Sequence, residues 1–128
     1  MSIQPSEPSL QDNVNLLIDL QIDWEHLHQL SECSAEFELE LLQLFVKDSD
    51  THIKALEKAI ATHNLREIEQ AVHHLKGASA NIGAKVMQSA ADQLEQQVRH
   101  QKLHTTHELL LELKQSLDCI CRFVNSQK

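Results

Sequence analysis

Ala71-Val72-His73-His74-Leu75-Lys76-Gly77-Ala78-Ser79-Ala80-Asn81-Ile82-Gly83-Ala84 carries both of the glycines in this 128-residue chain. Leu65, Ile68, Val72, Leu75 and Ser79 recur at helical spacing and form the core stripe of a helix that the quoted stretch completes. His73, Lys76 and Gly77 fall off that stripe. Lying three and four residues apart, they share one solvent-facing side. A glycine inside a helix costs roughly 1 kcal/mol relative to alanine, so Gly77 needs a reason. Either a neighbouring helix packs against it, or something outside the chain must come close to His73. Gly83 fits the left-handed position that ends a helix.

Working outward, Asn64-Leu65-Arg66-Glu67 resembles a capping box and starts this helix. Before it, Ser34 caps a long helix with Glu36 and Glu38 in its first turn, where the helix dipole favours acids. Leu41, Leu42, Phe45, Ile53, Leu56 and Ile60 mark its buried face as far as about Ala61. After Gly83, a helix runs from about Ala84 to Arg99 with stripe Val86, Ala90, Leu94 and Val98. Thr105-x-x-Glu108 makes a second capping box for the last helix, whose stripe is Leu110, Leu113, Leu117, Ile120 or Cys121, and Val124. A short helix is expected over Ile22 to Leu27, with Asp23 near its N-cap. Residues 1–20, with Pro5 and Pro8, read as a partly flexible tail, to which Val14, Leu16, Leu17, Ile18 and Leu20 add a short packed piece. Residues 21–126 form one domain. Connections of two to about six residues favour antiparallel neighbours. The expected fold is all-α: an antiparallel up-down four-helix bundle with a short preceding N-terminal helix, complete as a monomer.

Composition agrees with this. Tyrosine is absent, tryptophan occurs once, and both prolines lie in the first eight residues. The formal charge of −8 is unevenly spread: residues 1–50 hold 11 acidic groups and one basic group, whereas residues 51–128 hold 8 acidic and 10 basic. An acidic total argues against nucleic acid as a partner, because phosphate binding needs a concentrated cationic face. Arg66, Lys76 and Lys85, near the glycines, suit an acidic partner pocket. No segment approaches the roughly 20 apolar residues that span a bilayer, and no secretory signal pattern opens the chain. A cytoplasmic, soluble protein is expected. Cys33, Cys119 and Cys121 lack disulfide-framework spacing and read as reduced thiols. The Cys119-x-Cys121 pair points in two directions on a helix, which disfavours metal binding there.

Nine histidines raise a metal hypothesis. His100, His104 and His107 would align on one helix, but the Thr105 cap breaks it near His104. His26 and His28 point apart. With His52 and His63 these read as solvated surface residues, because their spacing meets metal-ligand rules poorly. His73 differs. An exposed neutral imidazole is a competent nitrogen nucleophile. Phosphoryl transfer asks mainly for position and charge neutralisation, and Lys76 can reach added phosphoryl oxygens.

At these residues the sequence resembles a known family. His73-His74-Leu75-Lys76-Gly77-Ala78-Ser79-Ala80-Asn81-Ile82-Gly83 is similar to the H-x-L-K-G-[SA]-[SA]-x-x-[LI]-G motif of histidine-containing phosphotransfer (HPt) domains. Ile22-Asp23-Trp24-Glu25 with Leu27 resembles the family's opening helix, Leu41-Leu42-Gln43-Leu44-Phe45 with Asp48 its second, and Leu94-Glu95 its fourth, so the resemblance covers about residues 20–125. It implies an antiparallel four-helix bundle that accepts a phosphoryl group on histidine from the aspartate of a receiver domain and passes it to a second receiver. By the motif's register the phosphoacceptor is His73, not His74. Lys76 would stabilise the phosphoryl group, and Glu95, where the family often has a polar residue, would orient the imidazole. Gly77, with His74, Ala80 and Asn81, would form the partner-binding face. Gly83 would end the helix, and Ser79 would satisfy backbone. His74 departs from the commoner small or hydrophobic residue at its place. The implied partners are response-regulator receivers or a hybrid sensor histidine kinase. No cofactor is bound by this chain, and Mg2+ is expected in the receiver. The chain would be a signalling intermediate, not an enzyme in the usual sense.

Two other readings remain open: an HPt-like module that binds receivers or kinases without accepting phosphate, and a metal-binding bundle built on the spare histidines. The intact His73, Lys76 and Gly77 count against the first. A sensor kinase is disfavoured, because the chain has no glycine-rich nucleotide loop and His73 lacks a His-Glu-x-x-x-Pro context. The start Met1-Ser2-Ile3 favours a free-standing protein.

Overall fold

A computed structural model describes residues 18–127. Among the described residues, a helical turn over 18–21 is followed by five longer elements: α1 (Trp24–Leu30), α2 (Ala35–Ala61), α3 (Leu65–Ile82), α4 (Lys85–Arg99) and α5 (Thr106–Ser126). Val14, Leu16, Leu17 and most of the expected tail lie outside the described residues. Ile18 is buried in the core, whereas Leu20 is 61% exposed.

Local chemistry sets the helix starts. Asp23, Ser34 and Asn64 each accept a hydrogen bond from the backbone N–H three residues on, at His26, Phe37 and Glu67. Each such cap is worth about 1 kcal/mol. Thr105 departs from expectation. It stands at the N-cap of α5, but its side chain caps no backbone donor. Its hydroxyl is taken by the Gln97 amide of α4 instead, while the Thr106 hydroxyl donates to the Leu103 carbonyl at 2.9 Å. Tertiary pairing has replaced the local box. With glycine so scarce, Glu32, Cys33, His63 and Gln101 take the left-handed backbone of the turns.

α2, α3, α4 and α5 form a closed ring in which α3 packs between α2 and α4, and α5 between α4 and α2; α1 lies across α2 and α3. Leu42, Leu56, Leu75, Leu94, Leu113 and Ile120, among others, fill the interior with 1% exposure or less. The stripes read from the sequence need three corrections, the first being that Leu41 on α2 is only half-buried. Leu65 is 41% exposed, because the first turn of α3 projects at the end of the bundle. On α4 the buried row is Met87, Ala90, Ala91, Leu94, Glu95 and Val98, with Val86 only half-buried. Ala90 and Ala91 are fully buried in this row, and Glu95 is 3% exposed.

Gly83 joins α1 to the bundle. It ends α3 at φ 84°, its N–H bonded to the Ser79 carbonyl at 3.0 Å. Its own carbonyl accepts from Asp23 N–H at 2.8 Å, and the His26 ring donates from Nε2 to the Asn81 carbonyl at 2.8 Å. His26 is therefore engaged, not merely solvated as its spacing implied. A Cβ at Gly83 would stand 3.1 Å from the Asp23 carbonyl oxygen and 3.2 Å from His26 Cδ2.

Candidate functional site

α3 faces solvent with one strip of side chains, and its two flanking helices treat neighbouring residues of that strip differently. Since adjacent residues on a helix diverge by about 100°, His73 leans toward α4 and His74 toward α2.

On the α4 side, His73 Nδ1 lies 3.2 Å from Glu95 Oε2. A carboxylate can only accept, so Nδ1 carries the hydrogen. In the neutral ring Nε2 then holds the lone pair. The His73 side chain is 80% exposed while Glu95 is 3% exposed, so a buried anchor holds a solvent-facing ring. Glu95 is also the meeting point of two cations. Lys76 Nζ reaches Glu95 Oε1 at 3.1 Å and Asp92 Oδ1 at 3.0 Å, and the Arg99 guanidinium lies 3.4 Å from Oε1.

These contacts explain how a carboxylate survives nearly out of water. The Lys76 hydrogen bond holds the Glu95 carboxyl below the ordinary carboxylate range. Burial opposes it, while His73 and the charges of Lys76 and Arg99 add to the lowering. Asp92, followed by Glu95, holds the Lys76 ammonium above its usual range. A depressed carboxyl contributes stability that is complete above the unfolded value, about 4.3, and is lost as pH falls through the folded value. The urea midpoint of the wild type is therefore expected to fall more steeply than that of Glu95→Gln as pH drops below about 4.3. Parallel midpoint–pH curves would show that Glu95 carries no such linkage.

Gly77 lies one turn beyond His73, exposed, and a Cβ built there meets nothing within 4 Å. The packing explanation left open by the sequence is thereby removed. The expected consequence is a pair of opposite effects. Gly77→Ala gains up to about 1 kcal/mol of helix stability, seen as a raised melting temperature. Gly77→Gln adds a long side chain beside the imidazole and weakens whatever docks there. A Gly77→Ala variant that melts lower than wild type would contradict the open geometry.

The remaining residues singled out from the sequence fall into place around this strip. Ser79 is fully buried and donates to the Leu75 carbonyl at 2.6 Å, a structural role. Ala80 is half-buried and Asn81 exposed, its carbonyl engaged by His26. Arg66 and Lys85 are exposed, but on different turns from the His73 strip. The sequence reading missed the second cluster. On the α2 side His74 Nε2 donates to Asp48 Oδ2 at 2.7 Å, and its ring stacks on His52 with centroids 3.6 Å apart. Asp48 and His52 lie four apart on α2, but the pair with His74 crosses helices and has no local spacing to reveal it. His100, His104 and His107 come together in no such group among the described residues. Among those residues no helix is long and apolar enough to cross a membrane.

Residues 40–122 match the family model described as Hpt domain. Over 121 residues the chain is 27% identical to Histidine-containing phosphotransfer protein 1 of Arabidopsis thaliana, covering 90% of this chain and 79% of that protein. It is 22% identical over 108 residues to Phosphorelay intermediate protein rdeA of Dictyostelium discoideum, covering 84% of this chain but only 42% of that longer protein. Among solved structures, histidine-containing phosphotransfer protein B of Pseudomonas aeruginosa superposes with a TM-score of 0.77 at 22% identity, over 84% of this chain and 93% of that one. That likeness concerns the fold.

Proposed function

We propose that His73 Nε2 is the atom that accepts and returns the phosphoryl group in this chain, which belongs to the Hpt domain family and serves as a phosphorelay intermediate. The observation that carries this reading is the bond from His73 Nδ1–H to the buried Glu95 carboxylate. It fixes the tautomer and leaves the nucleophilic lone pair on the solvent side.

In the transfer, the Nε2 lone pair attacks the phosphorus of a receiver aspartyl phosphate in line with the leaving carboxylate oxygen. The N–P bond forms as the P–O bond breaks, and the electron pair leaves with the aspartate carboxylate. The imidazole gains positive charge as it attacks, and the Glu95 anion beneath Nδ1–H stabilises that charge where it develops. Transfer to a second receiver reverses these steps. Lys76 shares the Glu95 carboxylate with His73, so by leaving Asp92 its ammonium can serve the phosphoryl oxygens. Gly77 gives the receiver close access, with His74, Ala80 and Asn81 around it.

The remaining chemistry belongs to the partner. A receiver domain, free or part of a hybrid sensor kinase, supplies the aspartate and the Mg2+ that neutralises phosphoryl charge, in the cytoplasm. The chain itself turns nothing over. Phosphotransfer to histidine-labelled protein, followed by 31P–15N NMR, tests the assignment. Phosphorus coupled to the Nε2 of His73 is expected. Phosphorus on Nδ1 would sink the role given to Glu95, and an unlabelled chain across a panel of phosphorylated receivers would favour a module that only binds.

A further inference from the structure

We propose that Asp48, His52 and His74 form a binding site for a divalent transition-metal ion of the zinc class, at the α2–α3 edge of the phosphotransfer face. One ring nitrogen from each histidine and one Asp48 carboxylate oxygen lie within 4.8 Å of one another. Two ligands come from positions four apart on α2 and the third from the facing helix α3, a cross-helix arrangement that bundles use for metals. Imidazole nitrogen with one carboxylate suits zinc, nickel or copper better than magnesium or calcium.

The side chains are already gathered in one place, although the rings must turn before they share an ion. Asp48 already holds His74 through Oδ2 at 2.7 Å, and His52 Nδ1 stands 3.5 Å from Oδ1. His52 Nδ1 also donates to the Asp48 backbone carbonyl at 2.9 Å, the kind of bond that orients a metal-binding imidazole. An ion on His74 Nε2 takes the place of the hydrogen now shared with Asp48, and the ring carries its proton on Nδ1 instead. Lone pairs lie in the ring planes, so the two imidazoles, now stacked at 11°, turn off their stack to meet the ion. Their exposure permits it, with His52 at 29% and His74 at 43%. Water completes the coordination from the groove that His52 and His74 line together with Lys58 and Glu67.

Such a site differs from the Glu95 side, where the buried carboxylate is already shared by Lys76 and Arg99. It also places a dication beside the residue next to the proposed phosphoacceptor. Zn2+ titration of the whole chain by calorimetry tests it without any phosphotransfer partner. One ion per chain is expected, weakened about tenfold or more by His52→Ala and by His74→Ala and unchanged by His73→Gln. On the wild type, 15N shifts of the His52 and His74 rings should move together on zinc addition, which keeps the test independent of how the variants fold. No saturable binding would overturn the proposal. So would zinc binding that survives both alanine variants, which would put the ion on the cysteines or other histidines, or binding lost with His73→Gln.

Discussion

His73→Gln is expected to abolish phosphoryl acceptance completely while leaving the fold intact. The glutamine amide can still donate to Glu95 and occupies similar space, but it offers no nitrogen lone pair able to attack phosphorus. His73 is 80% exposed, so its replacement disturbs no core packing. His74→Gln should keep the label, with transfer slowed no more than about tenfold, the worth of one contact of about 1.4 kcal/mol. The measurement is radiolabel passed from a phosphorylated receiver in the presence of magnesium, with circular dichroism on each variant. Acid-labile, base-stable label lost only with His73→Gln is the expected result. Label lost only with His74→Gln would move the acceptor to the α2 side and overturn the assignment of the two adjacent histidines.

The second large effect falls on stability. Leu75 is fully buried, directly between His74 and Lys76 in the chain, and is one of the side chains that seat α3 among its neighbours. Leu75→Ala should cost about 3 kcal/mol through lost burial and the cavity left behind, against a total stability of only about 5–15 kcal/mol. A fall in melting temperature of about 10 °C follows for a domain of this size. Because the strip carrying His73 rides on this seat, transfer should weaken as well, and more steeply on warming. A change below about 1 kcal/mol would mean that α2 and α4 close over the gap.

Much of this architecture was legible in the sequence because its signals are local. Ser34, Asn64 and Asp23 cap helices by bonds to residues three positions away, so spacing alone identifies them. Gly83 announces itself because few other residues take φ near 84° comfortably. The solvent-facing strip of His73, Lys76 and Gly77 follows from the period of one helix. What spacing could not supply is anything that crosses between helices. Thr105 looked like a cap by its spacing to Glu108, but Gln97 on α4 claims its hydroxyl. The His52–His74 stack joins positions 22 residues apart, and nothing in either local stretch records it. Glu95 became a candidate through family resemblance. Its burial and its contacts with His73 and Lys76 arise only where α3 and α4 pack together.

α1 has seven residues, too few to persist as a helix in water on its own. It borrows order from the end of α3 through Asp23 N–H on the Gly83 carbonyl and the His26 ring on the Asn81 carbonyl. Contacts of His28 with Glu38 on α2 and of Trp24 with Phe123 on α5 add to these, so a segment near the start of the described chain is expected to gain the protection of the bundle it rests on. The amides of Asp23 and Gly83, sixty residues apart in the chain, should therefore exchange with solvent at similar rates.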